Sequence, residues 1–381
     1  MSSRESADAP VLYRGMRDAM EDEPEADDSA KPIRGRRRRA PLPRWKRIAS
    51  GWVGALCVLY ALGAIAIWLM FRFVGESWWP ATFLLFSPRW IWAVPLPVVL
   101  PLAGIFRRKS IWVPILTGVL VLIGLMGFSI PWRAAISPSR GPNAVRMVTA
   151  NLHDHQADPR IVNDFLIQTK PDVVTFQVFD ARTDIPYLHQ PGWQMEVNDG
   201  IMIASRWPIT LIDKSSMGQA PETADEIKGG MVIDGAAGRY LVHAPFGDFQ
   251  VVSLHLTSPH KALSMMKQNG ELAAHLLAAN SNRRADSSAL LASHVRTMPG
   301  PVLLGGDFNT TEDSLIFRSA WSAYNDAFSV AGFGFGTSYA MHRTWLRIDH
   351  ILYDPSWQCH SSYTSGDIGS GHRAVFAELS R

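Results

Sequence analysis

Cysteine is almost absent from this chain of 381 residues: only Cys57 and Cys359 occur. No disulfide framework is therefore available to hold a small scaffold together. Internal repeats and strong low-complexity tracts are missing too, so the chain is not an array of stacked units. A secretory signal peptide is not expected, because the first apolar run begins too far in and is too long for an h-region. The C-terminal half has no concentrated Lys/Arg stripe, which argues against a nucleic-acid-binding face.

Charge is present but segregated. The formal net charge is only +3, yet the stretch through Asp28 is acidic and the next one carries Lys31, Arg34, Arg36, Arg37, Arg38, Arg39, Arg44, Lys46 and Arg47. An acidic, apolar-poor segment cannot bury enough surface to offset its chain entropy, so residues 1–48 read as a disordered tail, acidic then basic.

The following region, 49–133, reads as transmembrane. Trp52 to Phe71 is a charge-free run of about 20 residues, enough for a helix to cross a bilayer core. Ile111 to Ile130 is a second, with Gly118, Gly124 and Gly127 for close helix packing. Trp90 to Phe106 is shorter and holds Pro95, Pro97 and Pro101; a kinked third span is expected there, with a re-entrant segment as the rival. Tryptophans 78, 79, 90, 92, 112 and 132 lie near the ends of these runs, as interfacial aromatics do. The basic block before Trp52 places the N-terminus in the cytoplasm, and Arg107, Arg108 and Lys109 belong on the same side. Three crossings satisfy both, giving a multi-pass cell-membrane protein whose C-terminal domain is extracytoplasmic. A Pro/Ser/Gly-rich linker, 134–143, leads into that domain, 144–381.

Within it, strand-like stretches run over Ala144–Asn151, Asp172–Gln177, Gly200–Ser205, Gly229–Asp234, Phe249–Leu256, Pro301–Asp307, Thr344–Tyr353 and His372–Leu379. Pro159–Thr169 and Ala262–Thr297 read as helical. The mixture predicts a four-layer α/β sandwich, two packed mixed sheets flanked by helices. Polar residues fall at strand ends: Asn151, Gln177, His255, Asp307 and Asn309. Any one alone reads as a loop cap; together they have the placement of an active site assembled from distant segments. In Gly305-Gly306-Asp307-Phe308-Asn309, the period of two puts Asp307 and Asn309 on one face. A carboxylate and an amide oxygen there suit a hard cation or a phosphate oxygen, and the glycines permit close backbone approach.

The series formed by Asn151, Pro171-Asp172-Val173-Val174 with Gln177, Gly200 to Arg206, Ser253-Leu254-His255-Leu256, Gly306 to Asn309, Arg347-Ile348-Asp349-His350-Ile351 and Ser370 to Val375 resembles the endonuclease/exonuclease/phosphatase (DNase I-like) superfamily. The match runs in order across Val145 to Ser380. It implies hydrolysis of a phosphoester with a divalent metal, Mg²⁺ or Mn²⁺. By resemblance His372 is the general base, or the proton-bearing partner of the phosphate, oriented by Asp349. Asp307 and Asn309 position nucleophile and phosphate, His255 bonds the phosphate, and Asn151, Gln177 and Asp307 mark the metal region.

Two positions depart from the family pattern. Gln177 stands where it has Glu, and Gly371 where it has Asp, which removes two carboxylates from the Mg²⁺ seat. Asp154, Asp180 or Asp367 could restore charge, or His153 and His155 favour a softer metal, but the acids read as loop residues and both histidines as solvent-facing. His350 reads as structural or exposed. The tether favours a phospholipid or polyprenyl phosphate as substrate. An extracellular nuclease and a non-hydrolysing phosphate-ligand receptor are the alternatives; oligomeric state is not encoded in any motif.

Overall fold

The computed structural model describes residues 43–135, 143–153, 156–180, 182–216, 235–265, 270–341 and 344–381. Strands β1 (Ala144–Asn151), β2 (Val173–Gln177), β3 (Gln194–Asn198), β4 (Ile201–Ser205), β11 (Gln358–Thr364) and β12 (Val375–Ser380) form one mixed sheet in the order β11-β12-β1-β2-β4-β3. The second sheet contains β5 (Ile209–Ser216), β6 (Ala236–Val242), β7 (Phe249–His255), β8 (Val302–Asp307), β9 (Asn325–Asp326) and β10 (Asp349–Tyr353), in the order β5-β6-β7-β8-β10-β9.

Alternation along these strands sets the layers. Met147, Val173, Val251, Leu303 and Ile351 face between the sheets and share one core. Their neighbours Val148 and Val174 turn outward onto Val162 and Leu166 of the helix Pro159–Thr169. On the far side Val252, Leu304 and Leu352 pack on Leu291 and Val295 of the helix Gly270–Arg296 and on Phe317 and Trp321 of Leu315–Trp321. Each such aliphatic side chain contributes about 1.5–3 kcal/mol by burial. The result is the expected four-layer sandwich.

Several stretches differ from their sequence reading. Of the long helical stretch, His260–Met265 and Gly270–Arg296 are helices, and residues 266–269 lie outside the described residues. The strand expected from Thr344 begins only at Asp349, because Leu346 is spent on an isolated bridge with Tyr339. β12 likewise starts at Val375 rather than His372. Strands β3, β5, β6 and β11 carry no strong apolar alternation; β3 is an edge strand with Gln194, Met195 and Val197 exposed. The strand expected at Gly229–Asp234, the tail through residue 42, and residues 136–142 of the linker lie outside the described residues.

Three helical stretches, Arg44–Ser77, Arg89–Phe106 and Arg108–Leu125, are long and apolar enough to cross a membrane. Leu59, Leu62, Phe73, Val98, Ile105 and Leu116 point away from the protein; so much exposed apolar surface suits lipid rather than water. Arg89 donates through Nη1 to Leu125 O and through Nη2 to Leu85 O, each at 3.2 Å, so the start of the second stretch lies beside the end of the third. Elsewhere the Arg107 guanidinium lies against Gly54, which brings the end of the second beside the first half of the first. Ile48–Arg381, with these stretches and the sandwich, packs as one compact unit.

Candidate active site

Strand pairing gathers the predicted site residues. Parallel β1 and β2 set Asn151 opposite Gln177, and parallel β7 and β8 set His255 opposite Asp307. Antiparallel β10 sets Asp349 opposite Asp307 from the other side. The glycine pair before Asp307 has a steric cause. A Cβ on Gly305 would strike Met147 and Thr175 of the facing sheet, and one on Gly306 the Leu254 carbonyl.

Asp307 is buried, and both its oxygens are engaged. Oδ2 accepts from Asn151 Nδ2 at 2.9 Å and Oδ1 from the Asn309 amide at 2.8 Å. The Nε2 atoms of His255 and His372 lie 3.8 and 3.9 Å from the same Oδ2. Burial pushes Asp307 up, as does the Asp349 charge, while His372, His255 and the Asn151 bond pull it back. Asn309 is at φ +49°, a left-handed conformation that asparagine tolerates better than most residues; its Nδ2 donates to Leu256 O at 2.7 Å.

His372 Nδ1 meets Asp349 Oδ2 at 2.9 Å. Asp349 is seated by its own amide, which donates to Ser338 Oγ at 2.9 Å. The Ser370 hydroxyl donates to Asn151 O at 2.9 Å and accepts from the His372 amide at 3.2 Å, tying the imidazole's backbone to β1. Burial by itself would lower His372, but the charge and hydrogen bond of Asp349, with Asp307 behind, raise it to about 9. The ring therefore keeps both protons at neutral pH, with Nδ1–H on Asp349 and Nε2–H towards Asp307.

Two further residues stand beside His372, and of these Tyr339 carried no sequence signal. The Tyr339 ring packs edge-on at 5.0 Å between centroids, and burial, then Asp307, raises its phenol. His153, read from sequence as solvent-facing, is instead half-buried, 6.3 Å from the His372 ring; burial, then His372, His255 and His260, lowers it. His350 proves fully buried and structural, with Nδ1 2.6 Å from Asp326 Oδ2 and Nε2 donating to Thr310 O at 3.0 Å. His153, Val178 and Asn309, at φ +47°, +51° and +49°, each follow a site strand within two residues. Left-handed backbone costs about 1–2 kcal/mol per non-glycine residue, and such strain gathers at functional sites.

The metal region is short of charge. Gln177 is fully buried, with Nε2 donating to Thr149 Oγ1 at 3.3 Å and Oε1 without a hydrogen-bond partner. Asn151 Oδ1 accepts from the His153 amide at 2.9 Å. Gly371 has φ +79°, and a Cβ there would lie 2.5 Å from Met341 Cγ and 2.6 Å from its Sδ. A thioether thus fills the room an aspartate would need. Ligand atoms of Asp307, Asp349 and His372 lie within 4.8 Å of one another; Asp349 Oδ2 is taken up by His372 Nδ1, while Asp349 Oδ1 is buried without a hydrogen-bond partner. Asp180 pairs with Arg182 and Asp367 caps the Gly369 amide; Asp154 and His155 lie outside the described residues. At the Asn151–Gln177 pair Asp307 is the one carboxylate, bonded at both oxygens beside neutral amides, which does not suit Mg²⁺, a cation that favours anionic oxygens in strict geometry.

The profile of the Endonuclease/Exonuclease/phosphatase family matches residues 145–371, more than half of the chain. No curated protein matches the sequence. Among solved structures, an endonuclease/exonuclease/phosphatase from Beutenbergia cavernae DSM 12333 is similar at 18% identity and TM-score 0.45, covering 62% of this chain and 71% of that one. The human Nocturnin catalytic domain with bound sulfate is similar at 16% identity and TM-score 0.43, covering 64% and 99%. A mannosyl-6-phosphatase from Bacteroides thetaiotaomicron VPI-5482 is similar at 15% identity and TM-score 0.43, covering 62% and 100%.

Proposed function

The chain belongs to the endonuclease/exonuclease/phosphatase family, and on that premise we propose that it is a membrane-tethered phosphoesterase, hydrolysing a phosphodiester or phosphomonoester of a phospholipid or polyprenyl phosphate. The observation that carries this reading is the single carboxylate oxygen, Asp307 Oδ2, faced by two imidazoles, one of them locked to a buried acid. A phosphoryl group entering there meets the Nε2–H of His372 and the imidazole of His255, donors placed for charge on its oxygens. Of the two roles the resemblance leaves for His372, the proton-bearing one fits its raised pKa.

In this reading a water molecule attacks phosphorus and passes a proton to Asp307. The bond to the leaving oxygen breaks, and that oxygen takes the Nε2 proton of His372. General acid–base transfer of this kind contributes about 10²–10⁴ in rate. Asn309 and Asn151 fix Asp307. The proton steps rest on the protein's own groups, Asp307 and His372. If a divalent ion binds at Asn151, Gln177 and Asp307, Mn²⁺ is a better candidate than Mg²⁺, being more tolerant of nitrogen ligands nearby.

The tether supports a lipid-linked substrate, because it holds the site at high effective concentration against head groups. The antiparallel meeting of the three apolar stretches supports three crossings, with Arg107 to Lys109 cytoplasmic and the site on the other face. A reporter fused after Arg381 should then behave as extracytoplasmic.

The test uses full-length protein in nanodiscs, assayed on bis(p-nitrophenyl) phosphate, a polyprenyl phosphate and single-stranded DNA, with Mn²⁺, Mg²⁺ or chelator. Turnover of the first two that His372→Ala abolishes is expected. Phosphate binding by calorimetry with no product would overturn hydrolysis in favour of a receptor; cleavage of DNA alone would make the protein a nuclease.

A further inference from the structure

Five consecutive residues leaving the active-site strand are each held by a nitrogen donor from elsewhere in the chain. Arg284 Nη2 donates to Asn309 O at 2.7 Å, His350 Nε2 to Thr310 O at 3.0 Å, and Arg89 Nη2 to Thr311 Oγ1 at 3.0 Å. Arg347 bonds Glu312, and Arg89 Nη1 reaches Asp313 Oδ2 at 2.8 Å. Three of the donors belong to the sandwich. Arg89 does not: it opens the second apolar stretch, and its guanidinium also holds the Leu85 and Leu125 carbonyls described above.

A second contact reaches the same loop from the end of the first stretch. Glu76 Oε2 accepts from the Leu315 amide at 3.1 Å, and Glu76 Oε1 lies 3.9 Å from Arg284 Nη2, the atom that grips Asn309 O. Gly75, at φ +49°, comes so close that a Cβ on it would lie 2.6 Å from Leu315 Cβ. Arg89, Glu76 and Arg284 are 6%, 3% and 1% exposed. Ionised groups are rarely buried this deeply unless paired. Here the pairing crosses from the apolar stretches to the loop that carries Asn309.

We propose that Glu76 and Arg89 are positioning residues for the active site, so that the membrane segments set where Asn309 stands relative to Asp307. The inference rests on the phosphoesterase reading for its kinetic consequence but not for its structural one. Asn309 is fixed at both ends of its residue, by Asp307 at its amide and by Arg284 at its carbonyl. Loosening the second anchor lets the loop drift while the Asp349–His372 pair stays in place. Small displacements of aligned groups weigh on the chemical step far more than on binding.

The experiment compares wild type, Arg89→Gln, Arg89→Lys and Glu76→Gln, full-length in nanodiscs, by kinetics on bis(p-nitrophenyl) phosphate and by hydrogen exchange of segment 308–316. Expected for Arg89→Gln is a kcat loss of about 10–100-fold with KM within about twofold, and faster exchange in that segment. Arg89→Lys should recover part of the loss, because one ammonium replaces the charge but not the four-way fork. If Arg89→Gln does not fold, Glu76→Gln carries the test, since it keeps an acceptor for the Leu315 amide while removing the charge beside Arg284. Unchanged kcat and unchanged exchange in the folded variants would overturn the inference. A wild type without turnover would instead sink the phosphoesterase reading, and exchange of 308–316 would still decide whether the segments hold the loop.

Discussion

Replacing Asp349 by asparagine leaves the shape beside His372 nearly intact and removes only the charge. The carboxylate is fully buried and its Oδ2 lies 2.9 Å from Nδ1. His372 stands at about 9 against an ordinary 6.5, a gap of about 3 kcal/mol in favour of the imidazolium. Because the folded value is raised, this stabilisation is fully present below pH 6.5 and is lost as pH rises through about 9. In Asp349→Asn the burial that lowers His372 is no longer opposed at Nδ1, so its pKa should fall by about two units or more. At pH 7 the ring would then be neutral and unable to give up a proton, and kcat should drop by about 10²–10⁴. The assay pairs NMR titration of the His372 ring with the pH–rate profile: the wild-type rate should hold to pH 8 and decline around 9. A wild-type ring that titrates below pH 7, or a variant with an unshifted midpoint, would refute the reasoning.

The other predictions concern the altered metal region and the buried thiol. Gln177→Glu places a carboxylate where Oε1 now has no partner; Mn²⁺ affinity, read by calorimetry, should rise about tenfold or more, and an unchanged affinity would show that the seat is not there. Gly371→Asp must take φ +79° and displace Met341, so the melting temperature should fall by an amount matching about 1–3 kcal/mol; an undiminished one would mean the loop has room. Burial, then the Asp326 charge, pushes the Cys359 thiol far up. Iodoacetamide at pH 8 should label it only after denaturation, and rapid labelling of the folded protein would contradict its placement.

What could be read from the sequence, and what could not, follows from the range of the interactions. Asn151, Gln177, His255 and Asp307 end strands whose apolar alternation is local, so their convergence was legible once the strands were. Asp349 and His372 were matched through short motifs kept in order, and the structure brings them together. Met341 in the space beside Gly371, and Tyr339 against His372, depend on a loop whose path no periodicity encodes. From sequence His350 reads as structural or exposed, because Asp326, the partner that decides it, lies 24 residues away. The junction at Glu76 and Arg89 joins residues more than 220 positions apart. Its one sequence signal was an isolated acid and an isolated base at the edges of apolar runs, where charges are costly without partners.

The central claim, that water is split across a phosphoester bond at Asp307 and His372, is met most directly by single-turnover hydrolysis in ¹⁸O-labelled water, with the phosphate-bearing product read by mass spectrometry. One ¹⁸O bound to phosphorus in the wild-type product, and none formed by His372→Ala, is the predicted result. Product without the label, or equal product from the variant, would contradict it.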